Sequence, residues 1–212
     1  MISRRLLASL TVFWVVLSGC SATTLSGSWK NPDFTGQAKK IYIVGIASQE
    51  TIRRILEDDF NRQLSSYEVT GLVSYKDLPE SKEVDEAKIT AHIKANGADS
   101  VLMTHVTGKR TVEVVNPGRV TSLGPPYGGH YYDRPYYNTY GNYYNRYRDV
   151  IYEPATITQF EIITVEANLY DAQTSKLIWS AQLETVSENN IQALVDDFVK
   201  TVIKDMHSKG LI

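Results

Sequence analysis

The sequence predicts an α/β domain of the mixed α+β kind, with about five strands in one mixed sheet and three helices packed on it. Three observations predict it. Apolar runs of strand length alternate with amphipathic helical stretches between residues 41 and 106, two alternating runs near 160–186 flank a turn signature, and the last apolar stripe has helical period. Strand, helix, strand, helix, strand implies right-handed crossovers and a parallel portion of sheet, and the helices form a second layer on it. The expected order is β-α-β-α-β-(insertion)-β-β-α.

The chain opens with a targeting device. Arg4 and Arg5 form a basic n-region, and Leu6 to Leu17 is a twelve-residue apolar h-region, too short for the roughly 20 residues that span a bilayer. Residues 1–19 therefore read as a signal peptide. Leu17-Ser18-Gly19-Cys20 resembles the lipobox of bacterial lipoproteins, in which the Cys is lipidated, the peptide is cut before it and the new amino group is acylated. Several acyl chains hold a protein stably on a membrane, where one holds it only marginally. By the same resemblance Ser21, where an Asp would favour inner-membrane retention, points to the outer membrane of a Gram-negative cell and a periplasm-facing domain.

Residues 20–39 are Ser/Thr/Gly-rich at first and show no sustained period, so they read as the lipidated N-terminus and a tether, with Trp29 and Phe34 available to dock. Residues 40–212 then form a single domain. Ile41 to Ala47 is an unbroken β-branched run suited to a strand buried on both faces. Ile52, Ile55, Leu56, Phe60 and Leu64 fall at helical spacing, and Arg53, Arg54, Glu57, Asp58, Asp59 and Arg62 are expected on the solvated face. Glu68 to Tyr75 reads as the second strand, Glu83 to Asn96 as a helix capped by Gly97, and Ser100 to Val106, with a continuation towards Val115, as the third. Phe160 to Tyr170 and Lys176 to Val186 form a hairpin across Asp171–Ser175, with Leu177, Trp179, Ala181 and Leu183 on its core face. Ile191, Leu194, Val195, Phe198, Val202 and Met206 mark the last helix, closed by Gly210.

Gly124 to Arg148 interrupts this pattern. Nine of the fourteen tyrosines lie in these 25 residues, with four Gly, three Pro and no Leu, Ile, Val or Met, so the insertion cannot build a core of its own. Tyrosine offers a large amphipathic contact area at little entropic cost, which makes Tyr127, Tyr131, Tyr132, Tyr136, Tyr137, Tyr140, Tyr143, Tyr144 and Tyr147 candidate binding residues for a glycan or a protein. A flexible insertion with no partner is the competing reading.

The KKIYIVGI strand, Gly97-Ala98-Asp99 before SVLMTHV, and Leu169-Tyr170-Asp171 through Thr174-Ser175-Lys176-Leu177-Ile178-Trp179 resemble an uncharacterised family of proteobacterial lipoproteins with a Tyr/Gly-rich insertion. More distantly the layout is similar to the TolB amino-terminal domain, the curli-secretion lipoprotein and the lipoprotein activator of penicillin-binding proteins. The resemblance implies a fold and an envelope binding or assembly role, with a homo-oligomeric subunit as the alternative; it implies no chemistry. Ser175 stands where Gly is usual in the turn.

Composition narrows the function classes further. The 212 residues carry 22 basic and 24 acidic side chains, and losing Arg4 and Arg5 with the signal peptide leaves 20 against 24, or -4. Such a surface has no electrostatic reason to bind nucleic acid. The single Cys excludes an internal disulfide, and His92, His105, His130 and His207 have no second ligand at metal-binding spacing. His130 and Asp133 form at best a polar pair, His105 reads as a sheet histidine, and Asp196-Asp197 reads as a solvated helix face. No nucleophile elbow, Walker loop or dinucleotide fingerprint occurs, so the expectation is a non-enzymatic protein with no cofactor, no catalytic residue and no metal.

Overall fold

A computed structural model describes residues 23–78, 86–122, 140, 150–187 and 190–212. The elements in chain order are β1 (Thr23–Lys30), β2 (Lys40–Ile46), α1 (Glu50–Ser65), β3 (Thr70–Val73), a 3-10 turn (Ser74–Lys76) and α2 (Glu86–Asn96). They continue with β4 (Ser100–Asn116), β5 (Arg119–Ser122), β6 (Val150–Glu153), β7 (Thr156–Asp171), β8 (Leu177–Val186) and α3 (Ile191–Ser208). Six strands form one mixed sheet in the order β1-β8-β7-β4-β2-β3, and β5 pairs with β6 separately. β3, β2 and β4 are parallel to one another, and β7, β8 and β1 continue antiparallel.

This is the α+β architecture expected from the sequence, but the helices lie on both faces of the sheet and not in one layer, β5 and β6 are added, and two segments differ. Residues 23–30, read as tether, form the edge strand β1, which pairs with β8 from Thr23↔Thr185 to Lys30↔Trp179. The Ser/Thr/Gly composition hides it, because an edge strand supported on one side needs little apolar surface. The second predicted strand is cut to four residues, since from Ser74 the chain turns into the 3-10 segment.

The alternation of β2 explains the layering. Ile41 and Ile43 face a large core with Phe60 and Leu64 of α1, Trp179, Ala181 and Leu183 of β8, and Val195, Phe198, Val199, Val202 and Ile203 of α3. Tyr42 and Val44 face the other side, where Ile93 of α2 and Val101 pack with them. Helices therefore lie on both faces, as they must when β2 is flanked on each side by a strand reached through a right-handed crossover. The side chain of Trp179 is fully buried and its indole N–H donates to Asp205 Oδ2 at 2.8 Å. Leu177 is only half-buried, because a bulge between Leu169 and Tyr170 offsets the β8 register and puts Ile178 into the core instead. Leu194 is likewise half-buried on α3.

The helix ends are where the residue types predict. Gly97 adopts φ 62° and Gly210 φ 64°, each closing a helix in the left-handed conformation that costs glycine nothing. Asn190 caps α3 by accepting from the Ala193 N–H at 3.2 Å. Asp171 orders the β7–β8 turn by accepting from the backbone N–H groups of Gln173 and Thr174 and from the Thr174 hydroxyl. Burial opposes ionisation of Asp171, but those hydrogen bonds outweigh it and hold the carboxyl below its ordinary value.

Candidate functional site

Three features merit attention as sites: a buried ionic cluster at the carboxyl edge of the parallel strands, a cavity beside α2, and an arm that leaves the body of the sheet.

The cluster overturns one expectation. Arg53, Glu57 and Asp59, assigned from the sequence to the solvated face of α1, are buried, with Glu57 fully so. The stripe packs on β2 at Gly45, whose backbone N–H donates to Glu57 Oε1 at 3.0 Å, and the side chains of Arg53, Leu56 and Glu57 lie within van der Waals contact of where a Cβ would stand. Pairing the charges with each other and with hydrogen-bond donors offsets the cost of burying them. Glu57 Oε1 accepts from Gly45 N–H at 3.0 Å, Arg53 Nε at 3.0 Å and Ser74 Oγ at 2.8 Å, while Oε2 accepts from Tyr75 N–H at 2.9 Å. Arg53 Nη2 donates to Ser74 Oγ at 2.9 Å, and Nη1 lies 3.5 Å from Glu50 Oε2. Tyr42 is buried beneath, its phenol pushed up by burial and by the Asp77 and Glu57 carboxylates, with Arg53 opposing. Four donors from β2, α1 and the 3-10 turn converge on the Glu57 carboxylate, so this cluster ties those elements together. Asp59 and Asp196 act similarly between helices, both bound by Arg62. Asp58 stays exposed and accepts from Tyr75 Oη at 2.9 Å.

The cavity, of about 300 Å³, lies between α2 and the sheet and is lined mainly by Ile89, Ile93, Val101, Met103, Tyr170 and Ala172. It is apolar and half-open. Its few polar neighbours, Thr90, Asp171 and Ser175, belong to a helix face and to the turn already described.

The arm is built by the two longest strands. β4 and β7 pair over sixteen positions, from Ser100↔Asp171 to Asn116↔Thr156. β2 accompanies β4 only to His105, and β8 accompanies β7 only as far as Ile162. Residues 111–116 and 156–161 thus run on as a two-stranded ribbon, about 20 Å long at roughly 3.4 Å per residue. Beyond it the chain turns at Gly118, whose Cβ position would fall 2.8 Å from the backbone of Glu153 and Ala155, into the β5–β6 pair. The residues between Ser122 and Val150, which include the Tyr-rich insertion, are therefore attached at the end of this ribbon.

The two faces of the arm differ. The register puts Lys109, Glu161, Glu113 and Gln159 on one face, with Lys109 Nζ 2.6 Å from Glu161 and Gln159 Nε2 donating to Glu113 at 2.7 Å. Ile162, Val112, Phe160 and Val114 occupy the other, where Val112 lies directly opposite Phe160. The outer pair Val115↔Ile157, on the face of Glu113 and Gln159, is 61% and 64% exposed; on the other face Phe160 is 42% exposed, and Tyr152 on β6 is exposed too. β-branched and aromatic cross-strand pairs stabilise a ribbon, but an isolated two-stranded ribbon is marginal in water.

Of the sequence-predicted site residues, Tyr140 is 93% exposed. Cys20, Tyr127, Tyr131, Tyr132, Tyr136, Tyr137, Tyr143, Tyr144 and Tyr147, like His130 and Asp133, lie outside the described residues. The arm was legible only as a possible continuation of the third strand, although the β-branched enrichment of Val112 to Val115 and of Ile157 to Ile163 is its signal. Among the described residues no three His, Cys, Asp or Glu side chains come together as a metal site.

No family model and no curated protein matches the sequence. Among solved structures the chain is similar to a PelC dodecamer from Paraburkholderia phytofirmans, at 11% identity and TM-score 0.45 over 85% of this chain and 94% of that one. It is also similar to the lipoprotein GNA1162 from Neisseria meningitidis, at 14% identity and TM-score 0.39 over 80% and 98%. A PDZ domain protein from Parabacteroides distasonis follows at 11% identity and TM-score 0.34, over 84% of this chain and 35% of that one. These likenesses are distant, and a functional reading rests on the chain's own residues.

Proposed function

We propose that this chain is a lipoprotein anchored through Cys20 in the outer membrane, facing the periplasm, where it acts as a non-enzymatic binding or assembly module. The observation that carries the binding role is the arm, whose far end is joined in sequence to the Tyr-rich insertion. A ribbon with exposed apolar residues on both faces, joined in sequence to a Tyr-rich segment, suits engagement of an envelope protein or glycan. The anchor rests on the lipobox resemblance, and no helix among the described residues is long and apolar enough to cross a membrane. A second reading, a subunit of a homo-oligomeric envelope structure, is favoured by β1, an eight-residue edge strand whose one neighbouring strand is β8.

Metabolic labelling with a fatty-acid analogue, followed by fractionation, tests the anchor. Wild type should label and sediment with membranes, whereas Cys20→Ala should do neither; equal labelling of the two would overturn the lipoprotein reading. Affinity capture from envelope extracts with the Ser21–Ile212 fragment, with and without residues 124–148, tests the binding surface, and capture unaffected by the deletion would discard it. Light scattering on the same fragment separates a monomer from a closed assembly.

A further inference from the structure

The strand register places the start of β1 and the root of the arm at the same edge of the sheet. Thr23 pairs with Thr185, Thr185 with Ile163, and Ile163 with Lys109, so these four residues form one row across β1, β8, β7 and β4. From that row β4 and β7 run on for seven more residues, to Asn116 and Thr156, in the direction from which the chain enters β1. Cys20 precedes Thr23 by three residues, a separation of at most about 11 Å for an extended chain. Resting on the reading that Cys20 is acylated, we infer that the outer half of the arm, with Val114, Val115, Ile157 and Phe160, lies in the polar–apolar boundary of the bilayer that holds the anchor.

The lengths decide it. Seven residues of strand extend about 24 Å beyond the row of Thr23. The sheet twists by about 20–25° per strand, so β7, two strands from β1, is inclined by about 45° and the arm still projects about 17 Å along the direction of β1. That exceeds the 11 Å that the anchor allows between Thr23 and the membrane. An arm meeting the surface obliquely lays its side chains along it: Val115 and Ile157 lie on one face beside Glu113 and Gln159, and Val114 and Phe160 on the other beside Thr158, so each face mixes apolar and polar groups as a headgroup layer does, with Tyr152 beyond them. Charge is not the attraction, because Lys109, Arg110 and Arg119 are balanced by Glu113, Glu153 and Glu161. Depth is limited by the backbone. Beyond Ile162 the ribbon's outer N–H and C=O groups have no third strand among the described residues, and hydrocarbon would leave them without hydrogen bonds. The arm therefore stays in the headgroup layer, and any partner of the insertion meets it at the membrane surface.

The full-length lipidated protein is purified and reconstituted into phosphatidylethanolamine/phosphatidylglycerol vesicles, with an environment-sensitive fluorophore on a single added cysteine. Cys20, its amino group acylated and its sulfur occupied by lipid, does not react with the fluorophore. The positions are Ile157→Cys and Val115→Cys on the arm and Lys94→Cys on α2 at the opposite edge. The arm probes should shift to the blue on reconstitution and be quenched several-fold more by lipids spin-labelled near the headgroup than by those labelled near the chain end, with Lys94→Cys unaffected. Arm probes quenched by aqueous iodide and not by lipid would overturn the inference while leaving the anchor intact. Probes shielded from both quenchers would overturn it in favour of a protein or a second copy covering the face of Val115 and Ile157. Mass spectrometry for acylation of Cys20 is read on the same sample, and an unmodified Cys20 would refute the anchor itself.

Discussion

Removing the indole N–H of Trp179 while keeping an aromatic ring tests how the antiparallel half of the sheet is held to α3. Trp179 is wholly buried, and complete burial of an indole is worth roughly 4–6 kcal/mol from its 150–250 Å² at about 25 cal/mol per Å². Trp179→Ala would cost about 3–5 kcal/mol and endanger folding, so Trp179→Phe is the sharper variant. It retains most of the apolar contact and deletes the 2.8 Å bond to Asp205 Oδ2, a hydrogen bond to a charged group worth about 1.5–3 kcal/mol. With a urea slope of about 2 kcal/mol/M, the midpoint should fall by about 1 M. The pH dependence carries the mechanism. Burial works against the Asp205 charge, but hydrogen bonds from Lys209, Trp179 and Ser28 outweigh it and hold the carboxyl below its ordinary value of about 3.9. A depressed carboxyl contributes stability that is full above its unfolded value and lost as pH falls through the folded one. The gap between wild type and Trp179→Phe, followed by circular dichroism in urea on the Ser21–Ile212 fragment, should hold from pH 7 to about 5 and close below about pH 3. A gap that is absent, or that persists in acid, would refute the assignment.

Three other substitutions probe separate devices. Glu57→Gln leaves the buried Arg53 guanidinium with only its longer, partly exposed ion pair to Glu50, and the fragment should lose about 3 kcal/mol in urea titration; a loss below about 1 kcal/mol would mean the cluster is hydrated. Gly71→Ala puts a Cβ 2.8 Å from Asn61 Cα and 2.9 Å from Ile43 Cδ1, overpacking that should cost about 1–3 kcal/mol and lower the melting temperature by several degrees. Ser175→Gly should raise the melting temperature by about 2–4 °C, since Ser175 holds φ 57°, where a side chain costs about 1 kcal/mol or more; an unchanged value would show the turn is relaxed.

Much of the fold was written locally. The β2 run, the α3 stripe and the Asp171–Ser175 turn each carry their period or turn chemistry within a few residues, so the α+β class and the order of its central elements follow from the chain alone. Cys20 and its flanking residues, and the concentration of tyrosines at 124–148, are also purely sequence facts. Tertiary structure decided what depends on contacts distant along the chain. Glu57 and Arg53 look solvated until α1 packs on β2 at Gly45, because a charged residue's burial is set by the backbone it meets and not by its own helix. Thr23–Lys30 looks like a tether until β8 offers its edge, because a strand supported on one side is specified by hydrogen bonds to its partner more than by its own hydropathy. The shared edge of the start of β1 and the root of the arm emerges only from a register running through four strands, a relation no local pattern encodes.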